Sequence, residues 1–264
     1  MSGSAHDAVK LDALAVGPHP DDVELACGGT LALLAAAGRR VGIVHLTRGE
    51  AATRGTVEER RAEAEAAAGL LGAATLDFLD CGDGELATGR GEEDALIALV
   101  RRYRPEVVFG PPPADRHPDH GRGHALAAAA CFYAGLAGRR LDAGRFGADA
   151  ACAPHRPAAF FHYMQHDSFE PSFVVDVSSV WETKTAALAC YASQLQVPAG
   201  WTQGDAPAAT GPPTKVATRG FGLAIEGRAR HFGLLVGAEF GEPFGSRLPL
   251  AVRDPLEVLP GGVR

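Results

Sequence analysis

The stretch LDALAVGPHPDD, residues 11–22, joins a short apolar run to one histidine and two aspartates. The apolar run has the length of a buried strand, and the glycine and prolines after it are typical of a strand end. A helical pattern, ELACGGTLALLAAAGRR, follows at residues 24–40. This order predicts a parallel βαβ unit with polar side chains at the carboxyl end of its first strand, where open α/β sheets bind ligands.

The same alternation continues through the first half of the chain. The segment 56–72 is the strongest predicted helix, because Thr56 and Glu59 have the spacing of a capping box and Gly72 is a typical helix end. Strands alternating with helices predict an α/β fold with a mostly parallel sheet. The other predicted strands are 41–47, 75–80 and 106–110, and the other predicted helices are 92–105 and 123–138.

The second half is less regular. We see no internal repeat and no linker, so we expect a single domain over residues 1–264. The predicted elements are strands at 156–165 and 171–178, a helix at 179–195, a loop at 196–214, and a last helix at 219–236 that leads into a short strand; the tail from residue 240 carries glycine, proline and isolated apolar residues.

Composition excludes several classes of protein. The 264 residues carry a net charge of −7 and a pI near 5.8, which disfavours nucleic-acid binding. The five cysteines are scattered and form no CxxC pair, which indicates a reducing compartment. We find no apolar signal core at the N-terminus and no run long enough to span a bilayer. These features predict a cytoplasmic protein that acts on neither nucleic acid nor membrane.

A second polar stretch, DRHPDHGRGH at residues 115–124, follows the fourth predicted strand. Because the carboxyl ends of parallel strands meet at one edge of the sheet, we expect both polar stretches to converge there. A catalytic zinc site typically uses three protein ligands and one water, and histidine and aspartate are suitable donors. Five candidates compete for those places: His19, Asp21, Asp22, His117 and His120.

The candidates that do not bind the ion would still serve hydrolysis. A carboxylate beside the water can take its proton, and a second imidazole can stabilise an oxyanion. A set of two histidines and one carboxylate also suits Fe(II), but zinc is preferred because hydrolysis needs no redox change. The absence of GxSxG argues against a serine hydrolase, and glycosidases need two carboxylates without a metal. Gly28 and Gly29 match no phosphate loop, so we interpret them as close helix packing.

In this order and context, these motifs resemble the LmbE-like, or PIG-L, family of metal-dependent N-acetylglucosamine deacetylases. The similarity is greatest to the branch of bacillithiol biosynthesis and covers nearly the whole chain. The segments that carry it are HPDD (19–22), GGT (28–30), TRGE (47–50), RGTVEER (54–60), DRHPDHGRGH (115–124), FFHYMQ (160–165), PSFVVDVSSVWETKTAALACYASQ (171–194) and GFGLAIEGRARHFGLLVGAEFGEPF (220–244).

The resemblance implies a Rossmann-like fold with a zinc site at the carboxyl edge of the sheet, and a homo-oligomer, since the branch often forms hexamers. It also implies the role of each site residue. His19, Asp22 and His120 would bind the metal; Asp21 would be the general base; His117 would stabilise the oxyanion, with Asp119 orienting it; Arg60 would contact the substrate, and Arg116 would bind a malate carboxylate on its aglycone.

One position departs from the family pattern. Phe221 follows Gly220 where relatives carry a tyrosine, so a hydroxyl that could polarise the substrate carbonyl is missing. The primary expectation is hydrolysis of the acetamide of a GlcNAc conjugate, GlcNAc-malate above all. Two alternatives stay open: a deacetylase of another N-acetyl amino sugar, such as a chitooligosaccharide or an antibiotic intermediate, and a metal- or sugar-binding module without catalysis.

Overall fold

A single sheet organises the part of the chain that the computed structural model describes, residues 9–147, 150, 152–198, 200–201 and 212–252. Its strands are β1 (Ala13–Gly17), β2 (Val41–His45), β3 (Thr75–Phe78), β4 (Val107–Gly110), β5 (Ala159–Tyr163), β6 (Phe173–Asp176) and β7 (Gly241–Ser246). They lie in the order β3-β2-β1-β4-β5-β7-β6. Strands β1 to β5 are parallel, whereas β7 runs antiparallel to both β5 and β6. The predicted Rossmann-like α/β class is therefore confirmed.

Helices cover both faces of this sheet. Residues of β1 alternate between two hydrophobic clusters: Ala13 and Ala15 face one, and Leu14 and Val16 face the other. On the first face α1 packs against α6, and on the second α3 packs against α4. The helices are α1 (Asp22–Ala36), α2 (Val57–Leu70), α3 (Arg90–Tyr103), α4 (Pro118–Ala134), α5 (Ala143–Phe146), α6 (Trp181–Ala189) and α7 (Arg219–Leu235). No helix in the described ranges is both long and apolar enough to cross a bilayer.

Helix α4 begins five residues before the predicted position, at Pro118 instead of residue 123. The polar motif itself forms the first turn: His117 is the N-cap, and Pro118 occupies the first helical position, where a missing N–H costs nothing. The predicted helix start at residue 123 is therefore wrong. The capping box of α2 is confirmed, since the Thr56 hydroxyl accepts from the backbone of Glu59 and the Glu59 carboxylate accepts from the backbone of Thr56.

Helix α1 breaks at Cys27, whose φ of −133° and ψ of 17° are not helical. Just beyond the break, Gly29 passes so close to β7 that an added Cβ would lie 2.9 Å from Oε1 of Glu242 and 2.9 Å from Cβ of Val177. The interpretation of this glycine as a close-packing residue is confirmed. The predicted loop at 196–214 and the tail lie partly outside the described residues, at 199, 202–211 and 253–264.

Candidate metal centre and active site

The two His-Pro-Asp motifs meet in one pocket of about 360 Å³. The first motif follows β1 and the second follows β4, and these strands are neighbours in the sheet, so their carboxyl ends bring the motifs together. Seven of the eight predicted site residues line the pocket: His19, Asp21, Asp22, Arg60, Arg116, His117 and His120. The eighth, Asp119, is fully buried behind the pocket wall.

The three predicted metal ligands contact one another directly. Oδ2 of Asp22 lies 3.0 Å from Nδ1 of His19, and Oδ1 of Asp22 lies 3.3 Å from Nε2 of His120. One ring nitrogen each of His19, His117 and His120 lies within 4.8 Å of the others. Burial opposes the ionisation of Asp22, but the charge of His120 and hydrogen bonds from both histidines hold the pKa of its carboxyl below the usual range. Two imidazoles around a carboxylate form a donor set suited to a divalent cation.

Carboxylates also lie beside the outer nitrogens of the two histidines in the predicted ligand set. Nε2 of His19 lies 3.1 Å from Oδ1 of Asp83 and 3.3 Å from Oδ2 of Asp119. Nδ1 of His120 lies 2.5 Å from Oδ2 of Asp115. Metal-binding histidines typically donate their second N–H to such a carboxylate, which fixes the ring and its tautomer. The surroundings of His19 and His120 therefore fit a metal site.

Asp21 lies beside this donor set in an unusual backbone conformation. Its φ of 109° is in the left-handed region, which non-glycine residues seldom adopt outside functional or strained sites. The carboxyl is nearly buried, and this burial raises the pKa of Asp21 to about 7, against the opposing charge of Arg60. A carboxyl with that pKa can accept a proton from water near neutral pH.

Asp119 contacts His117 through its backbone. The backbone N–H of Asp119 donates to Nδ1 of His117 over 3.3 Å. Burial and the charges of His19 and His120 lower the pKa of His117, so the ring is neutral at pH 7. A neutral ring that accepts at Nδ1 carries its proton on Nε2. His117 thus has one N–H available as a hydrogen-bond donor.

The Asp119 carboxylate hydrogen-bonds to groups other than His117. Its Oδ2 accepts from Nε2 of His19 and from the backbone of Gly84, and its Oδ1 accepts from Leu86 and Arg122. These bonds join it to the loop after β3 and to His19, the first of the predicted metal ligands.

The two predicted substrate-binding arginines differ in exposure. Arg60 is only 4% exposed, and its guanidinium donates to the carbonyl of Pro20 and to Oδ2 of Asp21. These contacts hold the strained turn that carries Asp21. Arg116 is exposed at the pocket mouth. The predicted substrate contacts of both arginines stay predictions.

Three residues outside the predicted set also belong to the site. Asp115 holds His120, Gln165 donates from Nε2 to Oδ1 of Asp22, and His166 stacks on His120 with ring centroids 5.7 Å apart. Asp115 opens the second motif, so its position was a signal that the sequence offered. Gln165 and His166 follow β5 in a stretch without recognisable spacing, and only the sheet order brings them to the pocket.

Two other residues near the site differ in their surroundings. His45 is fully buried in β2, and neither of its ring nitrogens has a hydrogen-bond partner among the described residues. Phe221 does not line the metal pocket. It lies in a neighbouring cavity of about 560 Å³ that shares His166, with its ring centroid 5.9 Å from that imidazole.

The fold and the site together define a class of protein: a parallel α/β protein with a buried histidine–carboxylate centre at the carboxyl edge of its sheet. Residues 14–131 match the family model of GlcNAc-PI de-N-acetylase, PIG-L. The chain is 31% identical over 192 residues to the diacetylchitobiose deacetylase of Thermococcus kodakarensis, covering 69% of each protein. It therefore belongs to the PIG-L, or LmbE-like, deacetylase family.

Two further proteins are similar to this chain, and one of them is named for a different reaction. The conserved protein TT1542 from Thermus thermophilus superposes with a TM-score of 0.78 at 38% identity, covering 92% of this chain and 97% of that one. A 4-oxalmesaconate hydratase of Pseudomonas putida is 34% identical over 200 residues, which cover 69% of this chain and 73% of the hydratase. Because one relative is named for a hydration, the reaction has to be argued from the site.

Proposed function

We propose that this protein is a zinc-dependent N-deacetylase that hydrolyses the acetamide of GlcNAc-malate in bacillithiol biosynthesis. The observation that carries the proposal is the pair of groups flanking the donor set. A site that only bound metal would need neither a buried carboxyl with a pKa near 7, Asp21, nor a neutral imidazole with a free N–H, His117. Hydrolysis of an amide by an activated water uses such groups, one to take the proton of the water and one to donate to the oxyanion.

His19, Asp22 and His120 would hold the ion, which, when bound, supplies Lewis-acid polarisation of the amide carbonyl and acidifies a water. Asp21 accepts a proton from the attacking water, and the oxygen adds to the carbonyl carbon. The Nε2–H group of His117 donates to the oxyanion that develops. The proton that Asp21 took from the water is then delivered to the amide nitrogen, the C–N bond breaks, and acetate and the free amine are released, while His117 keeps its proton.

Two cationic side chains at the rim of the pocket favour a substrate with an anionic aglycone. Arg116 and Lys215 come from two different loops, both are exposed, and both line the pocket. Neither cationic group has a hydrogen-bond or ion-pair partner among the described residues. A malate group carries carboxylates that such cations can bind, which favours GlcNAc-malate over an uncharged sugar.

The test is acetate release from GlcNAc-malate, from free GlcNAc and from diacetylchitobiose, with zinc-loaded protein and a chelated control. We expect metal-dependent release that strongly favours the malate conjugate. Preference for diacetylchitobiose would instead support the alternative substrate class of other N-acetyl amino sugars. Zinc retention without release from any of the three would support a binding module that has lost catalysis. Loading with Fe(II) under anaerobic conditions compares the two candidate metals.

Replacing His120 with alanine is expected to empty the metal site. His120 supplies one of three proposed ligands, and two ligands seldom retain a divalent cation through purification. The measurement is zinc content per chain by elemental analysis after gel filtration. His124→Ala is the matched control, because His124 lies one turn further along α4, bonds the carbonyl of Pro111 and does not line the pocket. Unchanged zinc content in His120→Ala would remove this residue from the ligand set.

A further inference from the structure

The segment Gln165–Asp167, which follows β5, is connected to two of the three proposed metal ligands. Its first side chain reaches one ligand directly, since Nε2 of Gln165 donates to Oδ1 of Asp22. Its backbone reaches the other through a carboxylate, because the N–H groups of His166 and Asp167 donate to Asp115, over 3.2 and 3.0 Å. Asp115 in turn contacts His120.

Asp115 can only accept in these contacts. Its side chain is fully buried, and its two oxygens take three backbone N–H groups, those of Arg116, His166 and Asp167. A carboxylate with that many donors is an acceptor toward the imidazole as well. Nδ1 of His120 therefore carries a proton, and Nε2, which lies 3.3 Å from Oδ1 of Asp22, is the nitrogen that would offer its lone pair to a bound cation.

The segment is itself fixed from behind. The carbonyl of Gln165 accepts from the guanidinium of Arg228, on α7, which also approaches the carbonyl of Leu25, on α1. Gln165 is only 3% exposed, and its Oε1 has no hydrogen-bond partner among the described residues, so the contact with Asp22 is what orients its amide. The backbone of Gln165 is held by Arg228 and by its place at the end of β5.

We propose that Asp115 and Gln165 are positioning residues, which hold His120 and Asp22 in the orientation that a divalent cation requires. The inference rests on the metal site of the proposed function, but not on the substrate or on the reaction. The two His-Pro-Asp motifs are thus supported by a third segment, which follows β5, the strand next to β4. The carboxylate beside a ligand histidine typically contributes roughly 10- to 100-fold in metal affinity.

The first test is the zinc affinity of the full chain, measured by competition with a chromophoric chelator. We expect Asp115→Ala to weaken zinc binding by roughly 10- to 100-fold. Asp115→Asn keeps the shape and one acceptor oxygen, so a smaller loss is expected. Gln165→Met removes only the amide and keeps the three backbone contacts of Asp115. It therefore tests the contact between Gln165 and Asp22 separately, even where Asp115→Ala fails to fold. Asp167→Asn is the control, since that exposed carboxylate has no side-chain partner among the described residues.

The second readout separates positioning from general stability. Long-range ¹H–¹⁵N spectra report which nitrogen of His120 carries the proton, and we expect the Nδ1–H form in the zinc-loaded wild type and a mixture in zinc-free Asp115→Ala. A variant that melts earlier but keeps zinc affinity within twofold and the tautomer of wild type would overturn the proposal, as would a wild type that binds no zinc. A wild type that binds zinc tightly yet releases no acetate would sink the deacetylase function and leave the positioning role intact.

Discussion

Replacing Asp21 with asparagine is expected to lower kcat for acetate release by roughly 10²- to 10⁴-fold, the range that a general base contributes. Asparagine has the same shape and tolerates the left-handed conformation at this position, so the turn should survive. It cannot accept a proton from water. Because Asp21 is not among the proposed ligands, zinc content should stay at the wild-type value, which elemental analysis checks.

The pH profile gives the same residue a second test. Burial raises the pKa of Asp21 to about 7, and only the ionised carboxylate can act as a base, so the rate should fall as pH decreases through that region. A bound cation would lower this pKa and move the acid limb below pH 7. The limb should vanish in Asp21→Asn. Asp80→Asn is the control, because Asp80 is exposed and its ion pair, with the exposed Arg48, lies on the surface. A near-wild-type rate for Asp21→Asn would assign the base elsewhere.

The first half of the fold was predictable because each of its elements has a strong local signal. Strands β1 to β4 are short apolar runs with turn residues after them, and α2 carries its own capping box. Local signals of this kind survive folding when the tertiary structure agrees with them. The alternation of such elements then restricts the topology to parallel crossover units.

The sequence predicts a short strand after the last helix, but it does not give the bounds of β7, because GEPFGS contradicts strand propensity. It nevertheless lies inside the sheet, where Pro243 pairs with Val174. Close approach explains the glycines: a Cβ at Gly245 would collide with the ring of His162, and one at Gly241 would lie 2.8 Å from the backbone of Gly233 on α7. These contacts join residues far apart in the chain, so no local pattern reports them.

The same distinction holds in the site. The groups that would bind metal or move protons stand in two compact motifs, and those motifs lie at strand ends, so residues such as His19 and His120 were found from sequence. Two of the groups that contact them were not: Gln165 follows β5, and Asp83 lies in the loop after β3. Their role depends on which strands are neighbours, and strand order cannot be derived from local periodicity.

A buried ion pair compensates for the break in α1. In an unbroken helix the N–H of Gly29 would bond the carbonyl of Leu25. Instead, Gly29 donates to Oε1 of Glu242 over 2.9 Å, and Thr30 donates to Oε2 over 2.7 Å. The carbonyl of Leu25 accepts from Nζ of Lys184, which also lies 2.5 Å from Oε1 of Glu242. One carboxylate and one ammonium thus satisfy the polar groups that the break exposes.

Glu242→Ala should therefore lower the free energy of unfolding by about 3–5 kcal/mol, because it leaves a buried ammonium and two backbone donors without partners. Urea denaturation followed by circular dichroism measures this loss, which is a large part of the stability of an ordinary domain.

The double variant Glu242→Gln/Lys184→Met should lose less free energy of unfolding than the two single variants lose in sum, because both members of the ion pair are removed together. Glu239→Gln is the control, because Glu239 forms an exposed ion pair with Arg230, and it should leave the midpoint of the urea unfolding curve unchanged. If Glu242→Ala shifted stability by no more than about 0.5 kcal/mol, as a surface substitution does, the carboxylate would not be what sustains the break.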